Sequence, residues 1–457
     1  MQTFLLLAMV FQSFFHRVLP RQSIAAVICG FAMLIALPAQ AQSLLRDADI
    51  EFGLKQIAAP VLRAAGLSPS RVKILVVNDS SLNAFVVSND AIFIHYGLIN
   101  KLTRANMLQG IIAHEAAHIT NGHITRRITN LGSARTAAGL GLALAAIAAA
   151  AGSTDAATGI AIGTQGAAQR AFLKHTRAEE ASADQSGVRY LRAAGIPAQG
   201  LVDTLEIFRG QELLAETRQD PYLRSHPLSR DRIRAVQGFA ASDKPVQPTD
   251  ADYWFARVKG KLGAYTRSPK WTLRRLGESG YQDVRLLREA IANHRNSKTK
   301  KALSAINQAI ALRPTDPFLY DMKGQILIET RQFSAATNAY SQAVKLAPRE
   351  GLILSGYGRA LLASGNVNSA RVALEKARAI DFRDGVMLRD LSVAYAKSKQ
   401  PGMASLVTAE RYALSGRFKD AKIHAKRATG LLPRGSGPWQ RAQDVLIASE
   451  RAAKKRR

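Results

Sequence analysis

Two apolar stretches open the chain, with a basic turn between them. The first is Phe4–Phe15; the second, residues 24–37, follows Arg17 and Arg21 and ends at Ala39-Gln40-Ala41, before Gln42. A basic end, a short hydrophobic core and a small-x-small site are the order of a cleavable secretory signal, and the core is too short for a comfortable membrane span. From residue 43 to 240 helical periods mix with β-rich runs. Val72–Val77 and Ala91–Ile94 read as strands, joined through Asn83–Val87 and a turn at Ser88-Asn89-Asp90. Residues 104–128, with apolar Met107, Leu108, Ile111 and Ile112, read as an amphipathic helix, and Arg177–Asp184 lies in a second helical stretch. Residues 241–250, with Pro245 and Pro248, read as a linker. Beyond about residue 281 only helical periods remain.

Those helices repeat. Ala302, Ala336 and Ala370 are 34 residues apart, as are Ala309, Ala343 and Ala377; Pro314 and Pro348, and Gly324 and Gly358, keep the same step. A 34-residue period with small residues where paired helices touch resembles the tetratricopeptide repeat, and Tyr320, Gly324, Leu327, Ala336, Tyr340, Ala343 and Pro348 sit at that repeat's positions. Lys323 and Phe382 depart from it, at places where an apolar residue and a proline are expected. The phase then slips, returning at Ala421, Ala428 and Pro433. Three or four such repeats suffice for a solenoid.

The pattern therefore divides the chain into a signal peptide at 1–41, a mixed domain at 42–240, a linker with connecting helices at 241–280, helical repeats at 281–435 and a basic tail at 436–457. The expected fold class is α+β: a mainly helical domain with a small β-sheet, followed by an all-α solenoid. Composition agrees, since 47% hydrophobic and 21% charged residues over 457 describe a globular chain. The single cysteine, Cys29, excludes a disulfide framework, a thiolate zinc site and an iron–sulfur centre.

Charge changes the picture of partners. The formal net charge is +29, which inside a cell would point to nucleic acid. Export to the periplasm removes that partner and leaves anionic membrane surfaces or lipopolysaccharide, with peripheral association as the expectation. Residues 136–154 and 156–169 carry no charge, but most positions are Ala or Gly. Such a run between two site-bearing helices suits a lid or membrane-touching loop better than a span.

The chemistry lies in His114-Glu115-Ala116-Ala117-His118. On a helix both imidazoles share one face a turn apart and can hold one zinc ion, while Glu115 beside them is placed to take a proton from bound water. Buried without a partner, two histidines and a glutamate on an apolar stripe would be costly. His123 sits five residues after His118, and Asn121 and Ile124 stand where a metzincin has Gly and His, so that class is out. Glu180 and Asp184, one turn apart, offer the missing donors: one carboxylate can bind zinc while the other orients a ligand imidazole. Glu179 has no such companion, because position 183 is Ala.

The order His-Glu-x-x-His, Glu-x-x-x-Asp and then His226-Pro227-Leu228-Ser229-Arg230 resembles the HtpX and CAAX-prenyl-protease family of zinc metallopeptidases, in its exported, repeat-bearing branch. The resemblance implies a zinc endopeptidase with one zinc ion per chain, His114, His118 and Glu180 as ligands and Glu115 as catalytic base. It implies quality control of outer-membrane proteins and their assembly machinery, with chaperone-like help. It also brings His226 and Arg230 into the site, His226 closing the metal's open position or donating to the oxyanion. From the residues alone, Pro227 biases His226 to an extended or turn conformation, and a surface histidine of no consequence is equally consistent. The competing class is a non-proteolytic repeat scaffold or chaperone with a structural or silent zinc site.

Overall fold

The computed structural model describes residues 44–126, 176–215, 218–243 and 249–454. The expected signal peptide, the uncharged runs at 136–154 and 156–169, and the last three tail residues lie outside them.

The sheet has four strands in the order β1-β2-β4-β3. Strand β1 (Leu44–Leu45) pairs antiparallel with β2 (Lys73–Val77), which runs parallel to β4 (Ala91–His95). The segment expected only to join two strands is itself one. Strand β3 (Ala84–Ser88) folds back on β4 through the Ser88-Asn89-Asp90 turn, with a bulge between Val86 and Ser88, and forms the sheet edge. Its continuous apolar run Ala84–Val87 suits a buried strand, and Phe85 stacks on Phe93 across the ladder at 5.3 Å.

Helix α1 (Ala48–Ala64) packs on the sheet. A short helix α2 (Tyr96–Lys101) leads into α3 (Ala105–Thr120), which is buried along nearly its whole length. Helices α4 (Arg177–Ala193) and α5 (Gln199–Ile207) lie against α3. Their closeness needs glycine: a Cβ on Gly110 would meet the Leu201 backbone at 2.9 Å, and one on Gly200 would collide with the Asn106 backbone. The short α6 (Pro221–Ser225) and α7 (Arg230–Ala240) close this domain.

The stretch expected as linker and connecting helices, 241–280, contributes a helix to the core. Residues after 248 form α8 (Asp250–Thr266), whose Phe255, Val258 and Leu262 join the same apolar cluster as α1 and α3. A mixed apolar and charged pattern concealed this, because α8 buries Arg257 and Lys261 as ion pairs. Arg257 Nε lies 2.7 Å from Asp49, and Lys261 Nζ 2.8 Å from Asp47. A short α9 (Pro269–Arg274) follows.

Five antiparallel helix pairs complete the chain: α10 (Gln282–Arg295) with α11 (Thr299–Leu312), α12 (Pro317–Glu329) with α13 (Phe333–Leu346), α14 (Gly351–Ala363) with α15 (Val367–Ile380), α16 (Gly385–Lys397) with α17 (Pro401–Leu414), and α18 (Phe418–Leu431) with α19 (Gly437–Lys454). The repeated alanines are buried at the pair contacts, and a Cβ on Gly324 or Gly358 would collide with Tyr340 or Leu374. The slip of the alanine pattern has a structural form. Helix starts keep the 34-residue step through Thr299, Phe333, Val367 and Pro401; the buried alanines simply move to the first helix of the last pair, as Ala421, Ala425 and Ala428.

The repeats grip the N-terminal domain. Ala48 and Phe52 of α1 pack with Phe318, Ala343 and Ile353, and Arg257 bridges Asp49 to Asp316 at the start of α12. Arg46 and Lys73 both pair with Asp381, at 2.8 and 3.2 Å. No helix among the described residues is long and apolar enough to cross a membrane.

Candidate metal centre

Helix α3 presents His114 and His118 one turn apart, both fully buried, with Nε2 atoms 3.1 Å from each other. Helix α4 starts with a capping box in which Thr176 and Glu179 exchange hydrogen bonds. Glu179 is thus spent on the helix end, and the next residue, Glu180, turns inward. Its carboxylate lies 3.3 Å from His118 Nε2 and 3.4 Å from His114 Nε2. One turn on, Asp184 meets His114 Nδ1 at 3.0 Å.

The fourth donor comes from the end of α6. His226 donates its backbone N–H to the Tyr222 carbonyl and stacks its ring on Tyr222, with centroids 4.6 Å apart; Tyr222 in turn stacks on Phe208. The imidazole lies 3.3 Å from His114 Nε2, 3.0 Å from Glu180 and 3.4 Å from Glu115, while Nε2 also meets the Ala84 carbonyl of edge strand β3 at 3.2 Å. One donor atom each from His114, His118, Glu180 and His226 falls within 4.8 Å of the others.

The residues fit a divalent cation. Glu115 is fully buried and neither of its oxygens has a hydrogen-bond partner among the described residues, whereas Glu180 Oε2 is met by Arg232 at 2.7 Å. Such acceptors are costly to orphan unless a cation or bound water satisfies them. Imidazole and carboxylate donors are the set zinc accepts.

Electrostatics separates the two α3 histidines. Burial pulls His114 down, but Glu180 and Asp184 outweigh it and raise its pKa to about 10. Burial dominates at His118 and lowers it well below the ordinary range. Glu115 is pushed up, first by burial, against the pull of His226 and His114. Burial also opposes ionisation of Glu180, yet His226, Arg232 and His114 together hold its pKa well below the usual carboxylate range.

Of the residues singled out from sequence, His114, Glu115, His118, Glu180, Asp184 and His226 converge. Arg230 does not. It is the exposed first residue of α7 and lines an outer cleft of about 340 Å³ with Arg209, Leu213 and Arg234. The guanidinium that reaches the donors belongs to Arg232, two residues on, which contacts Glu180 at 2.7 Å and Asp184 at 2.7 and 2.9 Å and donates to the Pro227 carbonyl. Helical phase held the signal: Ser229 caps α7, and 232, 233, 236 and 240 are its buried positions, so 230 faces away. Sequence reasoning weighed His123 only as a third ligand and set it aside; its Nδ1 lies 2.8 Å from His118 Nδ1.

Residues 48–240 match peptidase family M48, and residues 327–391 match the tetratricopeptide repeat. The chain carries an M48 peptidase domain joined to tetratricopeptide repeats. The beta-barrel assembly-enhancing protease of Escherichia coli (strain K12) is 24% identical over 270 residues, 58% of this chain and 55% of that one. The putative beta-barrel assembly-enhancing protease of Vibrio cholerae is 28% identical over 188 residues, 40% of this chain and 38% of its own. The chain thus spans about half the length, or less, of these relatives. Among solved structures, MamA from Desulfovibrio magneticus RS-1 overlaps 35% of this chain and 94% of its own at 18% identity, with a TM-score of 0.31.

Proposed function

We propose that the chain is a zinc-dependent endopeptidase of the bacterial cell envelope. Its expected substrates are misfolded or stalled outer-membrane proteins in the periplasm, and a chaperone-like role in their assembly accompanies hydrolysis. The observation that carries this reading is Glu115: a fully buried carboxylate whose oxygens accept no hydrogen bond among the described residues, with the His226 imidazole 3.4 Å away, beside two imidazoles and a second carboxylate. The names of the relatives support the outer-membrane setting. The net charge of +29 supports attraction to anionic membrane or lipopolysaccharide surfaces.

His114, His118 and Glu180 would hold the zinc ion. When bound, the ion supplies Lewis acidity and lowers the pKa of a coordinated water. Glu115 takes a proton at its carboxylate and later passes it to the leaving amine, a task eased by burial, which raises its pKa above the ordinary carboxylate range. Asp184 accepts from His114 Nδ1 and so presents Nε2 to the donor set, and Arg232 fixes both acids. His226, 3.3 Å from His114 Nε2 and 3.0 Å from Glu180, would act as a further donor that a substrate carbonyl has to displace. That geometry supports a resting state in which His226 must swing aside.

The same fourth donor favours a second reading, because closed four-donor sites are the mark of structural zinc. In that case the chain is a non-proteolytic repeat scaffold. Metal content and casein cleavage of wild type beside Glu115→Gln decide. The peptidase reading expects one zinc per chain in both and cleavage only in wild type; full proteolysis by Glu115→Gln would overturn it.

A further inference from the structure

The two ligand histidines of α3 are held from behind by different chemistry. Behind His114 stands a carboxylate, Asp184, itself clamped by Arg232. Behind His118 stands another imidazole. Helix α3 ends at Asn121, and Gly122 takes a left-handed φ of +70° that turns the chain back on itself. This places His123, 2% exposed, with its Nδ1 2.8 Å from His118 Nδ1 and its ring centroid 5.0 Å from that of His118.

Resting on the metal-centre reading, we infer that His123 is a positioning residue for the second zinc ligand. His118 Nε2 faces His114 and Glu180, so that nitrogen must present its lone pair to the ion. The ring's single proton then sits on Nδ1, where it needs an acceptor. At 2.8 Å the acceptor is His123 Nδ1, whose own proton sits on Nε2. The pair fixes the tautomer and the tilt of His118 without adding a charge. The first ligand is backed by an anion and the second by a neutral ring, so the site gains orientation at both histidines while limiting the negative charge buried beside Glu115, Glu180 and Asp184.

The test keeps ring and acceptor apart. His123→Phe retains an aromatic ring and loses the acceptor; His123→Asn keeps an acceptor atom at the position of Nδ1. Zinc retention is measured against a competing chelator, the cobalt-substituted forms are compared by visible absorption, and melting of the metal-free proteins reports folding. Loss of such a partner is worth about 10–100-fold in metal affinity. His123→Phe is therefore expected to lose zinc about 10–100-fold more readily with an altered cobalt spectrum, and His123→Asn to recover most of both. If His123→Phe does not fold, His123→Ala, which adds no bulk, is judged by the same measurements. Wild-type affinity and spectrum in a folded variant without the acceptor would overturn the inference. Failure of the metal-centre reading looks different, since wild type itself would then take up no metal.

Discussion

Replacing Arg232 by Met tests the electrostatic frame of the site. The guanidinium is 5% exposed and contacts both Glu180 and Asp184, each within 2.7 Å. Methionine keeps the stem and removes the cation, leaving Asp184 with His114, and Glu180 with His226 and His114, as the remaining strong partners. Stripping one partner from a buried ion pair costs about 3–5 kcal/mol. Because His114 still compensates Asp184, the lower end applies, about 3 kcal/mol at pH 7. In wild type both acids have pKa values held low, against burial, with Arg232 among the causes. Their stabilisation is present above the ordinary carboxylate range, about pH 4, and is lost as pH falls through the depressed values. The deficit of Arg232→Met should thus be greatest at neutral pH and narrow in acid. Denaturant unfolding of the metal-free proteins from pH 7 to well below about pH 4 measures it. A deficit below about 1 kcal/mol at pH 7, or one independent of pH, would refute the reasoning.

His226→Ala should raise casein cleavage and self-cleavage if the imidazole closes the site; activity at or below wild type, at full zinc occupancy, would discard the plug. Deleting residues 281–435 should lower the melting temperature of what remains, because it uncovers Phe52 and strips Asp316 from the Arg257–Asp49 pair; calorimetry giving an unchanged transition would show that the halves are separable. Asp321 is pushed up to about 7, chiefly by burial and by Asp47 and Asp49 against Lys261. Its folded pKa exceeds the unfolded one, so stability is full below about pH 4 and lost as pH rises to about 7. Asp321→Asn should therefore melt higher than wild type at pH 8 and equally at pH 4; a gain at both would point to another cause.

What could be read from the chain alone was whatever one element settles. Helix geometry puts residues i and i+4 on one face, so His114 with His118, and Glu180 with Asp184, were legible as pairs before any packing was known. The 34-residue step was legible for the same reason, since each helix pair buries its small residues locally. Tertiary packing decided the rest. It chose Arg232 over Arg230, because only the face of α7 that meets α4 reaches Glu180. It made residues 84–88 the sheet edge whose Ala84 carbonyl receives His226, and it set the connecting helix α8 into the core of the first domain. It folded His123 behind His118 through one left-handed glycine, and it set α1 into the repeats, so that two textures of sequence share one framework. Periodicity is a property of a single element and is written along it; a contact between elements depends on which faces exclude water together, and no local spacing records that.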